Sequence, residues 1–385
     1  MRLVLGLMLV LAACAPRAQV DFAAPVPGAV LETVHVASTR AISPGSAVPG
    51  VERSETLAFA RYVVAVPPER ETGTLPRPRG NRPADPRRHF TVAQAALVSP
   101  DSFRQGLSGE LSREARRARE VVIFVHGFNT HFIEGVYRVA QLAHDLQLSG
   151  VMAHYAWPSL GAPLAYAHDR DSALFARDGL QAMIGQAVAA GAPRIVLIAH
   201  SMGALLVMET LRQMALDGTL ARTPIGGVIL ISPDIDVDLF RRQAHRIGRL
   251  PQPFLIFSSQ RDRVLQLSAA LTGLPDRLGN LADPARVAGL GVSLVDISAF
   301  GTGDGHFTVA DSPALIRLLS RIGAVDAALS ADPSGALPLV PGTILTLQNT
   351  TEALLAPLSE GASRPRRLPL LPPRRGAQPI ELVAD

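Results

Sequence analysis

The order of elements along the chain predicts an α/β protein built on a doubly wound, mostly parallel sheet. Three observations carry this expectation. Short, solidly apolar runs recur between residues 31 and 322, among them Val121-Val122-Ile123-Phe124-Val125 and Ile195-Val196-Leu197-Ile198-Ala199. Such runs suit strands covered on both faces. Segments with apolar residues at helical spacing alternate with them, the pattern of repeated βα units. Right-handed crossovers then lay helices on both faces, and functional residues belong at the carboxyl ends of the strands.

The elements follow in order. Residues 14–30 are rich in Ala and Pro and read as a tether. Leu31 to Thr39 alternates weakly and forms a candidate first strand. Phe59 to Val66 is a stronger one, stopped by Pro67-Pro68. Glu69 to Arg88, with its Pro, Arg and Gly residues, reads as an exposed loop. A helix is expected from Ser102 to Arg119, with its arginines on a solvated face. The strand Val121–Val125 runs into His126-Gly127-Phe128-Asn129, and a helix follows from about His131 to Leu148. Val151 to Trp157 is a strand closed by Pro158, and Asp171 to Ala190 a helix. Strands are expected at Gly226 to Ile231, Pro253 to Phe257 and Val292 to Ile297, and a last helix from Ser312 to Ile322. The connection from Leu271 to Gly291 is long enough for a lid, and equally suits an ordinary crossover. The domain is thus placed at 31–325. Residues 326–385, rich in Pro, Leu and Arg, read as a largely disordered tail with one docked segment around Leu345.

Composition narrows the function. Hydrophobic residues make up 48% of the 385, ample for one large core, and the net charge is +4. All 37 basic residues counted as Lys or Arg are arginine, which removes lysine chemistry such as a Schiff base. The arginines are scattered or lie in proline-rich flanks without an aromatic platform, so no nucleic-acid partner is expected. No metal is expected, since no His-x-x-x-His pair with an acid and no cysteine cluster occurs. No cofactor is expected either: Gly301-Thr302-Gly303-Asp304-Gly305 follows a strand without opening a helix.

The single cysteine bears on compartment. Met1-Arg2, an apolar run from Leu3 to Ala13 and then Cys14 form a signal-peptide pattern over residues 1–13. Leu11-Ala12-Ala13-Cys14 resembles the lipobox of bacterial lipoproteins, which implies cleavage before Cys14 and lipidation of its sulfur. Several acyl chains there would hold the protein on a membrane. Ala15, where an aspartate often signals inner-membrane retention, makes the outer membrane facing the periplasm the expected site. Ordinary secretion is the competing reading, through Ala13-Cys14-Ala15, although Pro16 would then follow the cut.

The stretch that organises the chain is Arg194 to Leu206. A buried strand ends at Ser201, and Leu205, Met208 and Leu211 then line one face of a helix. Ala199 and Gly203 flank the serine, giving A-x-S-x-G in the strand–turn–helix setting of a nucleophile elbow. The competing reading is a serine that only caps the helix. A serine hydroxyl needs a base to take its proton. His306, after the last strand, is the candidate base, and Asp262, past the preceding strand, the candidate orienter. Asp262 also suits a cap for the segment that follows it, and Asp234 is the rival acid. The order Ser, Asp, His is that of α/β-hydrolases. Backbone N–H groups of Met202 and Phe128 are the candidate oxyanion donors, Gly127 allowing the chain to turn. Asn129 suits a helix cap or the pocket. Trp157 suits the acyl pocket or the core. His126 and His200, beside tight turns, read as supports for them.

Five segments carry a resemblance to a known family: His126-Gly127-Phe128-Asn129, Tyr155-Ala156-Trp157-Pro158-Ser159, Ala199-His200-Ser201-Met202-Gly203, Ser232-Pro233-Asp234-Ile235-Asp236 and Asp262-Arg263-Val264-Leu265. The chain is similar in them to the DUF900 group of bacterial α/β-hydrolases, described as esterase- or lipase-like, over roughly residues 31–322. The resemblance implies the α/β-hydrolase fold and a triad at Ser201, Asp262 and His306, and names no substrate. The expected function is an envelope-anchored serine hydrolase acting on a small-molecule or lipid acyl substrate. The alternative is an interaction protein or acyl transferase on the same fold.

Overall fold

The computed structural model describes residues 20–43, 46, 48–80, 82–273, 276–300, 305–321, 342–348, 352–358 and 366–369. Cys14 and Asp304 lie outside them. In chain order the strands are β1 (Val30–Arg40), β2 (Arg53–Val66), β3 (Thr91–Val98), β4 (Val121–Val125), β5 (Val151–Ala156), β6 (Ile195–His200), β7 (Ile225–Ile231), β8 (Phe254–Ser258), β9 (Ser293–Asp296), β10 (Thr343–Leu347), β11 (Glu352–Pro357) and β12 (Arg366–Pro369). They form a 12-stranded sheet in the order β12-β11-β10-β9-β8-β7-β6-β4-β5-β1-β2-β3. Every pairing from β10 across to β1 is parallel. The outer pairs β1–β2, β2–β3, β10–β11 and β11–β12 are antiparallel.

The apolar runs work as two-faced strands. In β4, Val121, Ile123 and Val125 join one core while Val122 and Phe124 join the other. In β6, Ile195, Leu197 and Ala199 likewise oppose Val196 and Ile198, as the two-residue period of a strand requires. Helices Pro100–Arg113, Arg177–Ala189, Met202–Leu216 and Val237–Ile247 supply residues to the first core, and Phe132–Leu146 and Pro313–Arg321 to the second.

Local signals set the helix ends. Ser99 accepts from the Ser102 N–H at 3.1 Å, with Pro100 beginning the helix. Glu134 accepts from the His131 N–H at 2.9 Å, half of a capping box. Asp236 accepts from Leu239 N–H at 2.9 Å.

Several expectations change. The helix expected at 171–190 is two helices, Tyr166–Phe175 and Arg177–Ala189, and the Tyr155 hydroxyl donates to the Ala176 carbonyl at their joint (2.6 Å). The strand β3 was not expected. Its alanines and polar residues give it weak strand propensity, and most of it is half-buried or exposed on the edge of the sheet. Past residue 325, where the domain was expected to end, β10 pairs with β9, so that Leu345 and Leu347 are buried and the sheet continues into β11 and β12. The connection after β8 is the helix Arg263–Thr272 followed by short 3-10 turns at Leu278–Asn280 and Pro284–Val287. Leu278 and Val287 are buried, and Ser259 N–H donates to the Gly279 carbonyl at 2.8 Å, so the described part is a crossover packed onto the sheet.

The chain passes from β4 out to β5 and then back across to β6 on the other side of β4. Its following helices, Phe132–Leu146 and Met202–Leu216, serve opposite cores. The carboxyl ends of β4 and β6 are therefore a switch point of the sheet, the place where ligands of such sheets bind.

Candidate active site

Ser201 stands at that switch point, directly after β6. Its backbone is at φ 53° and ψ −121°, a left-handed conformation that a residue with a Cβ adopts at a cost of about 1–3 kcal/mol. The turn is held by backbone bonds from Ser201 N–H to the Ile231 carbonyl (3.0 Å) and from Asp234 N–H to the Ser201 carbonyl (3.2 Å). Glycines at 203 and 127 are a steric necessity. A Cβ on Gly203 would stand 2.3 Å from the His126 carbonyl oxygen and 2.6 Å from that of Val125. A Cβ on Gly127 would stand 2.7 Å from His200 Nδ1 and 2.9 Å from the Ser201 Cβ. The loop after β4 thus lies directly against the serine. Ser201 does not cap the helix with its side chain.

Met202 is the first helical residue, so its N–H precedes the helix's own ladder of bonds. Phe128 is half-buried, packed on the core and edge-on to Tyr166, with ring centroids 5.5 Å apart. Asn129 is left-handed, at φ 56°, and the residue capping the next helix is His131. The cap expected at Asn129 is therefore displaced by two residues, and Asn129 makes the turn instead.

His306 and Asp262 meet. His306 Nδ1 lies 2.8 Å from Asp262 Oδ2, with Asp262 fully buried and the imidazole 13% exposed. Asp262 Oδ1 accepts from the Leu265 N–H at 2.9 Å, so the one carboxylate contacts the imidazole and caps the helix. The His306 ring packs against His200, the residue before Ser201, with centroids 4.7 Å apart, and His200 Nε2 is 3.3 Å from the His306 carbonyl. His200 also stacks on Phe307 at 4.0 Å, and the Arg138 guanidinium lies over the Phe307 ring at 4.5 Å. Burial first, and then the neighbouring His306, hold His200 well below the ordinary imidazole range.

Asp234 has other partners. It accepts from the Tyr166 hydroxyl (2.9 Å) and the Ser268 hydroxyl (2.8 Å), and its Oδ1 lies 3.3 Å from Arg277 Nε in a buried ion pair. The rival acid is engaged in this network. Trp157 is fully buried, stacked on His126 at 4.8 Å and 11°. Its indole N–H donates to the His126 carbonyl at 2.7 Å. It therefore belongs to the core beneath the β4 loop and not to an open acyl pocket.

Two charged residues of the site were not expected from the sequence. Asp169, on the helix Tyr166–Phe175, accepts from Ser159 Oγ (2.5 Å), Leu160 N–H (2.8 Å) and Asn129 N–H (3.3 Å). Arg40, at the end of β1, donates to the carbonyls of Thr130 (2.9 Å) and Ser159 (3.0 Å). Both are buried. Burial lowers Arg40 to about 10, against the opposing pull of Asp169 and Glu134. No local motif marks these residues, because the carbonyls of Thr130 and Ser159 lie 90 and 119 positions from Arg40, and the Asn129 N–H lies 40 positions from Asp169.

A family model described as "Alpha/beta hydrolase of unknown function (DUF900)" matches residues 99–322, more than half of the chain. The chain belongs to this family of α/β-hydrolases. The match begins at the cap of the helix before β4 and ends just past Arg321, so it contains Ser201, Asp262, His306 and the β4 loop. Among solved structures, the chain is similar to lipase B of Aspergillus fumigatus, at 19% identity and a TM-score of 0.37, over 58% of this chain and 56% of that one. It thus spans little more than half the length of that lipase. It is also similar to fungal esterases from Rhizomucor miehei, at 13% identity and a TM-score of 0.24, over 88% of this chain and 78% of that one. No curated protein matches.

Proposed function

We propose that this α/β-hydrolase is a serine hydrolase of carboxylic esters or related acyl compounds. The observation that carries the reading is the His306–Asp262 contact of 2.8 Å beside the strained turn that presents Ser201. With Asp262 holding Nδ1–H, the imidazole keeps Nε2 unprotonated as the base for the Ser201 hydroxyl. Ser201 Oγ attacks the acyl carbon while its proton passes to His306. The oxyanion accepts hydrogen bonds from the N–H groups of Met202 and Phe128, each worth about 3–4 kcal/mol to the transition state. Collapse breaks the bond to the leaving group, which departs with the proton from His306. Water then repeats the sequence on the acyl-enzyme, releasing the acid and restoring Ser201. The buried Asp262 stabilises the imidazolium at each stage.

Steady-state hydrolysis of p-nitrophenyl esters of graded chain length tests the reading and ranks acyl substrates. Turnover that survives unchanged in Ser201→Ala would defeat it. The location follows a separate line, the lipobox-like Leu11-Ala12-Ala13-Cys14 after an apolar leader. We infer that the mature chain is anchored in the cell envelope by lipid on Cys14. Metabolic labelling with an alkyne fatty acid should mark the wild type and not Cys14→Ser.

A further inference from the structure

Resting on the reading of Phe128 as an oxyanion donor, we propose that Asp169 is a positioning residue for the reaction. Together with His126 it fixes the peptide planes on both sides of Phe128 and aims that N–H before substrate arrives. The carbonyl of Gly127 and the N–H of Phe128 share one trans peptide and point in opposite directions. His126 Nδ1 lies 2.9 Å from the Gly127 oxygen, so the Phe128 N–H is turned away from the His126 ring. With its single N–H on Nδ1 the neutral ring donates to that oxygen, and the ring is itself held by stacking on Trp157.

The plane after Phe128 is held by Asp169. Its Oδ2 accepts from the Asn129 N–H at 3.3 Å, while Thr130 Oγ1 donates to the Phe128 carbonyl at 3.2 Å. The same Oδ2 accepts from Ser159 Oγ, which in turn accepts from Thr130 N–H at 3.1 Å. Asn129 is left-handed without being glycine, a conformation that persists only where its surroundings over-determine it. Asp169 and Arg40 are 0% and 1% exposed, and Arg40 grips the Thr130 carbonyl of the same loop. A buried carboxylate and a buried guanidinium are costly groups to place under a surface loop. Here each of them bonds to a backbone group of the loop that carries the donor.

The test compares wild type, Asp169→Asn and Ser159→Ala on a p-nitrophenyl ester, with fluorophosphonate inactivation rates and thermal unfolding alongside. A donor displaced by an ångström or so loses transition-state binding and little ground-state binding. Asp169→Asn should therefore keep KM within about two-fold while kcat falls about 100-fold, with a parallel fall in inactivation rate. Ser159→Ala, which leaves the carboxylate in place, should show the same pattern at about 10-fold, and it decides the matter if Asp169→Asn does not fold. A merely structural role would lower the unfolding temperature and leave kcat of the folded enzyme and its ratio to KM untouched, which would overturn the inference. Turnover lost in Ser201→Ala but retained at the wild-type rate in both variants would overturn this inference alone. A wild type with neither turnover nor labelling would overturn the serine-hydrolase reading and this inference with it.

Discussion

One carboxylate of Asp262 serves two masters: Oδ2 lies 2.8 Å from His306 Nδ1, and Oδ1 accepts the Leu265 N–H at 2.9 Å. The helix cap fixes the orientation of the group that orients the imidazole. Asp262→Asn should separate the two roles. Asparagine caps a helix as well as aspartate does, so stability should change by less than about 1 kcal/mol. The amide would favour the wrong imidazole tautomer, and kcat should fall about 10⁴-fold. Asp262→Ala should lose the cap as well, at a further cost of about 1 kcal/mol. Kinetics and urea unfolding on the two variants check both halves.

Asp234 should behave in the opposite way. Its removal leaves Arg277, 1% exposed, without the carboxylate that stands 3.3 Å from it. Breaking a buried pair of this kind costs about 3–5 kcal/mol. Asp234→Asn should therefore unfold more readily, while the protein that remains folded keeps kcat within a few-fold of wild type. A loss of kcat like that of Asp262→Asn, at unchanged stability, would exchange the roles assigned to the two acids.

The glycines offer a steric test. Gly203→Ala puts a methyl group 2.3 Å from a carbonyl oxygen of the neighbouring strand end, and backbone there has no room to yield. The expected cost is at least about 1–3 kcal/mol, with loss of reactivity at Ser201. Gly185, exposed within the helix Arg177–Ala189, has nothing within 4 Å of its would-be Cβ. Gly185→Ala should stabilise by about 0.5–1 kcal/mol. Unfolding midpoints of the pair check the contrast.

Much of this architecture can be read from the residues, and the exceptions share a cause. Val121–Val125 and Ile195–Ala199 announce buried strands because nearly every position is apolar, and Ser201 announces a turn because small residues flank it. The meeting of His306 with Asp262 follows from strand-end placement and chain order. Edge strand β3 is alanine-rich and only partly covered, so it leaves little pattern, and β10 is a five-residue run within proline-rich sequence. Asp169 and Arg40 carry no signature, since only the folded chain brings them to the 127–131 loop. Trp157 fits core and pocket equally well until packing decides, and Asn129, expected to cap, instead makes the left-handed turn two residues before the cap.

Buried imidazoles should set an acid limit on stability. Burial above all holds His154 down to about 3, and it holds His126 and His200 well below the ordinary range. In the unfolded chain these rings take protons near pH 6.5. Below that pH the unfolded state binds more protons than the folded one, so stability falls as the pH falls. A ring kept neutral contributes about 1.4 kcal/mol per pH unit below pH 6.5 for as long as it stays neutral in the folded state. For His154 the loss should continue to about pH 3, where the folded state begins to take the proton. Urea midpoints should be level from pH 8 to 7 and drop steeply from 6.5 to 5. A flat profile across that lower range would contradict the assignment of these rings as neutral.

The central claim is that Ser201 is an activated nucleophile. Intact-protein mass spectrometry after fluorophosphonate treatment, with peptide mapping, tests it most directly. One adduct per chain is expected, located on Ser201, formed by the wild type and absent from Ser201→Ala and His306→Ala. A folded wild type that gains no mass, or an adduct that maps elsewhere and persists in Ser201→Ala, would contradict it.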